Sequence, residues 1–326
     1  MRFFANANYD FLGRRRMAFG LALAFIVIGI LALAIRGVNY SIEFTGGTLV
    51  QIRTQQPADV GALRAGLERQ GVTGAEIQSF GSNRDVVIRA RVVNAAGDAN
   101  DTQAAGAIIR RALDAVVGRD GYRVARTEAV SPKVGGELRQ QALMAILLSF
   151  VAVLAYLAVR FEWRFGVAAI VATAHDIVAT IAFIALLRLE VSLFVVAALL
   201  SIVGYSLNDT IVIFDRVREN LRGAKRPDFL AVLNRSVNET LPRTVLTGST
   251  ALGTLLMLAI LGGDVIRPFG LIMMFGVVIG TFSSIFIAAP VLLWIEQRWP
   301  GPHAQGLKPG AMPTERAAAR QAQPVA

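Results

Sequence analysis

No cysteine occurs in the 326 residues. Disulfides, thiolate metal sites and cysteine nucleophiles are therefore excluded, and any part facing an oxidising compartment must hold together by packing. Histidine is nearly missing too: the chain has two, and no His, Asp and Glu set shows metal-ligand spacing. Charge is scarce. Asp, Glu, Lys and Arg make up 17% of the residues, against about 25% in a soluble domain. Walker, dinucleotide-binding and kinase motifs are lacking, which argues against ATP as an energy source. Neither a cofactor nor a metal is expected, and no catalytic residue set is evident.

Apolar length is what the chain has instead, with 54% hydrophobic residues. A membrane-crossing helix needs about 20 consecutive apolar residues. Six runs qualify, at about 17–35, 140–159, 166–187, 191–214, 243–261 and 269–295. Arg14, Arg15 and Arg16 before the first run, with Ala32-Leu33-Ala34 at its end, could mark a cleaved leader. Its apolar stretch exceeds the 7–15 residues of a leader core, which favours an uncleaved anchor.

Orientation follows from Lys and Arg in the short flanking segments. With the N-terminus inside, seventeen of them fall on the inside, seven of these between runs four and five when Arg243 is counted. The two short outside loops then hold one each, Arg188 and Arg267. The net charge of +10 thus reads as a membrane asymmetry, not as a nucleic-acid surface. The expected organisation is a cytoplasmic N-terminus over 1–16, a first transmembrane helix over 17–35 and a periplasmic domain over 36–139. Five further helices follow within 140–295, with a basic cytoplasmic loop over 215–242 and a disordered cytoplasmic tail over 296–326.

The outside domain shows strand patterns at 47–54, 75–81, 84–93 and 122–130 and helical patterns at 57–70 and 101–118. Pro57 suits a first helical turn. Gly81-Ser82-Asn83 reads as a hairpin turn. The order βαββαβ predicts a small α+β ferredoxin-like domain between helices 1 and 2 of an α-helical polytopic membrane protein. Nothing in that domain suggests catalysis. Its surface is expected to bind something.

Polar residues inside membrane helices cost about 2.5–3.5 kcal/mol or more when charged, so they need partners, a wet cavity or a task. Run four carries Ser201, Tyr205, Asn208 and Asp209 at helical spacing. Run three carries Thr173, His175, Asp176 and Thr180, with His175 about 100° round the helix from Asp176. Run five carries Arg243, Thr247, Thr250 and Thr254, with Pro242 suited to its first turn. Gly276, Gly280 and Ser284 in run six have the spacing of small-residue helix packing. A carboxylate that is alternately dry and beside an arginine can take up and release a proton. Asp209, Arg243, Asn208, Tyr205 and Thr247 are therefore the candidate proton pathway, with Asp176, His175 and Thr250 as further candidates. The bland alternatives are a structural salt bridge for Asp209 and inter-helix hydrogen bonds for the rest. Asp215 and Glu219, next to Arg216, Arg218 and Arg222, read as a solvated extension of the helix.

VGYSLNDTIVIFDRVREN (203–220) resembles the fourth-helix signature of SecF-type proteins in the SecD/SecF protein-export family of the RND superfamily. LPRTVLTGST (241–250) is similar to the opening of that family's fifth helix, and AHD (174–176) to its third-helix His-Asp. IEFTGG (42–47) resembles its Asp-Phe-Thr-Gly-Gly motif, with Glu43 where Asp is frequent, followed by Gly46 and Gly47. VSPKVGGEL (130–138) looks like the lead into helix 2. The likeness covers about residues 10–297. It implies pairing with SecD, association with the SecYEG channel and with YajC, and contact with translocating preprotein and membrane lipid. It implies use of the proton-motive force to promote export across the bacterial inner membrane, and no enzymatic reaction. It aligns Asp209 and Arg243 with the family's functional aspartate and arginine, and expects a further aspartate from SecD. Two other readings stand beside this one. One is an RND-type half-transporter for a small molecule, for which the outside domain is small. The other is a passive assembly factor with a structural Asp209.

Overall fold

The structure, a computed structural model, describes residues 7–72, 75–80, 82–90, 102–223 and 228–300. Gly81 of the expected hairpin, residues 91–93 of its second strand, Lys225, Arg226 and the tail from 301 lie outside the described residues. The chain divides into two compact units, one built on membrane-length helices and one on a sheet.

The sheet unit comprises Val38–Leu148 and Arg188–Val196. Its elements are α2 (Ile42–Thr45), β1 (Gly47–Thr54), α3 (Val60–Arg69), β2 (Glu76–Phe80), β3 (Ser82–Ala90), α4 (Thr102–Val117) and β4 (Tyr122–Val130). The strands form one antiparallel sheet in the order β2-β3-β1-β4, which is the ferredoxin-like topology. Alternation decides which face is dry. Val50, Ile52, Val86 and Ile88 point to one side and bury against Leu63 and Leu67 of α3 and Ile109 and Leu113 of α4. Each such side chain contributes about 1.5–3 kcal/mol by leaving water. The start of α3 differs from expectation. Asp59, not Pro57, sets it, because Asp59 Oδ1 accepts from Gly61 N at 2.8 Å and Ala62 N at 3.1 Å. Two otherwise orphaned amides are satisfied by one carboxylate, and Pro57 lies in the preceding loop. On the other face of the sheet, Arg53 grips Asp85 with two bonds of 2.6 and 3.1 Å. That guanidinium holds the Asp85 carboxyl below its usual range, outweighing the opposing effect of burial.

The membrane-length helices are α1 (Arg15–Arg36), α5 (Pro132–Arg160), α6 (Trp163–Leu186), α7 (Leu193–Gly223), α8 (Phe229–Leu261) and a last rod made of α9 (Gly263–Ser283), a π-turn (Ser284–Ala288) and α10 (Ala289–Arg298). All six spans are long and apolar enough to cross a membrane. The π-turn lies just before Pro290, whose ring cannot fit a regular α-turn without clashing with the carbonyl four residues back.

Three expectations about boundaries fail. The basic segment 215–242 is mostly helix, as the ends of α7 and α8, and only 224–227 fall outside the described residues. Pro242 sits inside α8 instead of opening it. The helix starts thirteen residues earlier because Asp228 caps it, accepting from Leu230 N at 3.1 Å. Phe229, Leu233 and Val237 then bury one face at i, i+4 and i+8. Packing on that face outweighs the single ladder bond that proline forfeits. The tail expected from 296 overlaps α10, which continues to Arg298.

Small residues let the helices approach. A Cβ on Gly29 of α1 would stand 2.1 Å from Ala182 Cβ of α6. One on Gly276 of α9 would stand 2.2 Å from the Ile202 side chain of α7, and one on Gly280 would meet Ser206 at 3.0 Å. Ser284 continues the seam, its hydroxyl 2.8 Å from that of Thr210. Gly276, Gly280 and Ser284 thus mesh with Ile202, Ser206 and Thr210, each set one turn apart.

Candidate functional site

Among the described residues of this membrane unit three carboxylates are buried: Glu296 of α10, which pairs with Arg164 at 3.5 Å, and the aspartates Asp176 and Asp209. Asp176 of α6 is fully buried (0% exposed). Its Oδ2 accepts from Ser283 Oγ of α9 at 2.7 Å and from Ser206 Oγ of α7, so one side chain pins three helices. Its Oδ1 meets His175 Nδ1 at 3.0 Å. The 100° separation along the helix thus does not keep the two side chains apart. His175 Nε2 is buried without a hydrogen-bond partner. Thr173 and Thr180, on the same stripe as Asp176, donate back to their own helix.

Asp209 of α7 is 3% exposed. Its Oδ2 accepts a long bond of 3.3 Å from Thr281 Oγ1 of α9. The positive charge of Arg243 on α8 acts on it, yet no ion pair within 4.0 Å joins the two. Asp176 is therefore tightly held and Asp209 loosely held.

The remaining candidates separate from these two. Ser201 and Asn208 are exposed, on a side of α7 that Asp209 does not share. A single residue step turns a helix by 100°, enough to take Asp209 inward while Asn208 points out. Arg243, Thr250 and Thr254 of α8 are exposed and Thr247 is half-buried. Their threonine hydroxyls donate to carbonyls one turn back in α8. Tyr205 Oη is buried beside Thr247 without closing a hydrogen bond to it. The chain thus presents a strip of polar groups along α7 and α8, backed by a buried aspartate. Ser206, Ser283 and Thr281 were not singled out from sequence, though Ser206 stands three residues before Asp209 and Ser283-Ser284 interrupts an apolar run.

The extension of α7 is laced with ion pairs. Arg216 binds Glu219 and Glu239, each at 2.6 Å, and Asp215 pairs with Arg160 at 2.7 Å and Arg218 at 3.6 Å.

Comparison with known proteins assigns the family. Residues 110–298 match the family model "Protein export membrane protein SecD/SecF, C-terminal", and residues 31–58 match "SecD/SecF GG Motif". The chain belongs to the SecD/SecF family. Among its relatives, the protein translocase subunit SecF of Gemmatimonas aurantiaca is 53% identical over 304 residues, covering 92% of this chain and 91% of the relative. That of Escherichia coli O157:H7 is 36% identical over 285 residues, 87% of each. The crystal structure of SecDF, a translocon-associated membrane protein from Thermus thermophilus, superposes with a TM-score of 0.79 at 35% identity over 90% of this chain. This chain spans 39% of the length of that solved protein.

Like its SecD/SecF relatives, the chain is a multi-pass membrane protein. The family's GG motif has a definite shape here. Ser41 caps the one-turn helix α2, accepting from Glu43 N at 3.2 Å. Gly46 (φ 70°) and Gly47 (φ 122°) then turn the chain into β1 through backbone conformations that a side chain would strain. A Cβ on Gly135 of α5 would stand 2.9 Å from Gly46 N, so the motif lies directly against backbone. Glu43 Oε2 accepts from Leu193 N, the first amide of α7, at 2.6 Å. Close by, Arg89 of β3 is paired with Glu190, whose carboxyl is pushed up by burial.

Proposed function

We propose that this chain is one half of a proton-driven protein-export device, which uses the proton-motive force to promote preprotein translocation across the bacterial inner membrane. The observation that carries the reading is the buried Asp209 behind the uncovered polar strip of Asn208, Arg243 and Thr250. Polar groups facing lipid are costly, so such a strip implies a covering partner. The partner proposed is a SecD-type half, in keeping with the fact that the solved SecDF protein is much longer than this chain. It contributes a second carboxylate opposite Asp209. Proton binding and release at this pair, under the changing influence of Arg243, drives the helices between two arrangements. Tyr205 and Thr247 line the approach. The assembled pair acts at the SecYEG channel on preprotein emerging outside.

The orientation proposed places both termini in the cytoplasm and the sheet domain in the periplasm. The arginine count supports it, and the tryptophans locate one membrane–water boundary. All three of them, Trp163, Trp294 and Trp299, gather at one end of the helices. Arg164 lies over Trp163 and donates to Trp299 O at 2.9 Å. Aromatic rings beside arginines mark a membrane–water boundary.

The test is export in membrane vesicles with and without the chain, at constant ATP. The increment that the chain confers is expected to vanish when a protonophore collapses the gradient. An increment that survives the protonophore would refute proton coupling.

A further inference from the structure

The family motif between α1 and β1 does more than turn the chain. Three of its neighbours reach across 150 residues of sequence to the short connection between α6 and α7, all within the sheet unit. Ser41 N donates to Val191 O at 2.9 Å, and Val191 N donates to Asn39 O at 2.8 Å. Together these make a two-bond parallel bridge between Tyr40 and Val191. Asn39 Nδ2 donates to Arg188 O at 3.3 Å. Arg188 itself turns the chain at a positive φ of 52°, a conformation that strains an ordinary residue and needs outside support. The Arg89–Glu190 pair adds a tie from β3.

Glu43 completes this set. The first amides of a helix have no partner within it. A carboxylate at that end satisfies a donor and lies favourably in the helix dipole. Ser41 Oγ donates to the same oxygen of Glu43 at 3.3 Å, fixing its direction. From Leu193 the helix runs unbroken to Gly223. Asp209 is sixteen residues along it, about 24 Å away at 1.5 Å per residue.

We propose that Glu43 is a positioning residue that clamps the first turn of α7 to the sheet domain, so that displacement of the Asp209 helix is passed to that domain. The clamp is independent of what moves α7. Its coupling role rests on the proton reading given above. Of the charged groups nearby, Glu190 acts directly on Glu43, and Arg89, Arg126 and Glu128 stand in turn around Glu190. Glu43 is therefore held by geometry within a mixed cluster, and not by an isolated charge pair.

The experiment compares Glu43→Ala, Glu43→Gln and wild type, each in the complete membrane complex. Hydrogen exchange at the first turn of α7 reads the clamp directly. Exchange there is expected to quicken roughly tenfold in Glu43→Ala, the loss of one charge-assisted bond, with the middle of α7 unchanged. Glu43→Gln keeps an acceptor oxygen and is expected to stay within about threefold of wild type. Carbodiimide labelling of Asp209 against pH, followed by mass spectrometry, reads the proton site. It is expected to be unaltered in Glu43→Ala, while the protonophore-sensitive export increment is lost and Glu43→Gln restores it. Unchanged exchange in Glu43→Ala overturns the clamp. Quickened exchange with a normal export increment overturns the coupling. A shifted labelling profile shows Glu43 acting on the proton site itself and also overturns it. If wild-type export ignores the protonophore, the proton reading and the coupling fail together, and the exchange data still decide the clamp.

Discussion

Asp209→Asn is expected to abolish the protonophore-sensitive part of export while leaving insertion and partner assembly at wild-type levels. Asparagine has nearly the shape of aspartate and can still accept the 3.3 Å bond from Thr281. The long bond and the absence of an ion pair with Arg243 mean that little structure depends on the charge. What asparagine cannot do is bind and release a proton. A structural role for Asp209 predicts the reverse pattern, with weakened assembly and export falling only in proportion. Export by reconstituted vesicles, together with co-purification of the SecD-type partner, separates the two. Export at wild-type rate with Asp209→Asn would remove Asp209 from the mechanism.

Asp176→Ala is expected to be a folding defect instead, costing about 2–5 kcal/mol and visible as a lower unfolding midpoint in detergent. Three groups lose their acceptor at once: Ser206, Ser283 and His175. They belong to α6, α7 and α9, so the substitution unpins the junction where Gly276 and Gly280 let α9 approach α7. One of the serines has an escape, since Ser283 Oγ also donates to Gly280 O at 3.1 Å. That keeps the cost below the sum of three lost bonds. Asp176→Asn retains an acceptor and is expected to recover most of the stability. If Asp176→Ala is as stable as wild type, the junction is held by packing alone. If Asp176→Asn abolishes export at full stability, Asp176 belongs with Asp209 in proton transfer.

These two carboxylates also show how far the sequence could be read. Apolar run length located every membrane helix, because a bilayer imposes its thickness on any chain that crosses it. The βαββαβ order was legible from strand-favouring residues in β1, alternation in β4 and helical spacing in α3 and α4. Helix starts were less so. Pro57 and Pro242 each satisfy a rule for first turns, but Asp59 and Asp228 win because each offers an acceptor to amides that would otherwise be orphaned. The polar residues were found, and their grouping was not. Spacing on one helix cannot tell which face a neighbour covers. Asp209 and Asn208 therefore looked like companions, although one is buried and the other exposed. Likewise nothing in AHD or in the second half of run four announced that Asp176 would bind Ser206 and Ser283, since those contacts arise only when three helices meet. Glu43 is the extreme case. Its partner amide is 150 residues away, and a backbone N–H carries no sequence signature.

The uncovered strip on α7 and α8 is the centre of the account, and the lack of cysteine makes it directly accessible to measurement. A single cysteine placed by Asn208→Cys can carry a photoactivated cross-linker in the assembled complex, with Val151→Cys on the apolar exposed surface of α5 as the comparison. The account predicts an adduct from position 208 to a membrane helix of the SecD-type partner, close to a carboxylate of that helix, and none from position 151. Position 208 labelling only lipid in the intact complex would contradict it.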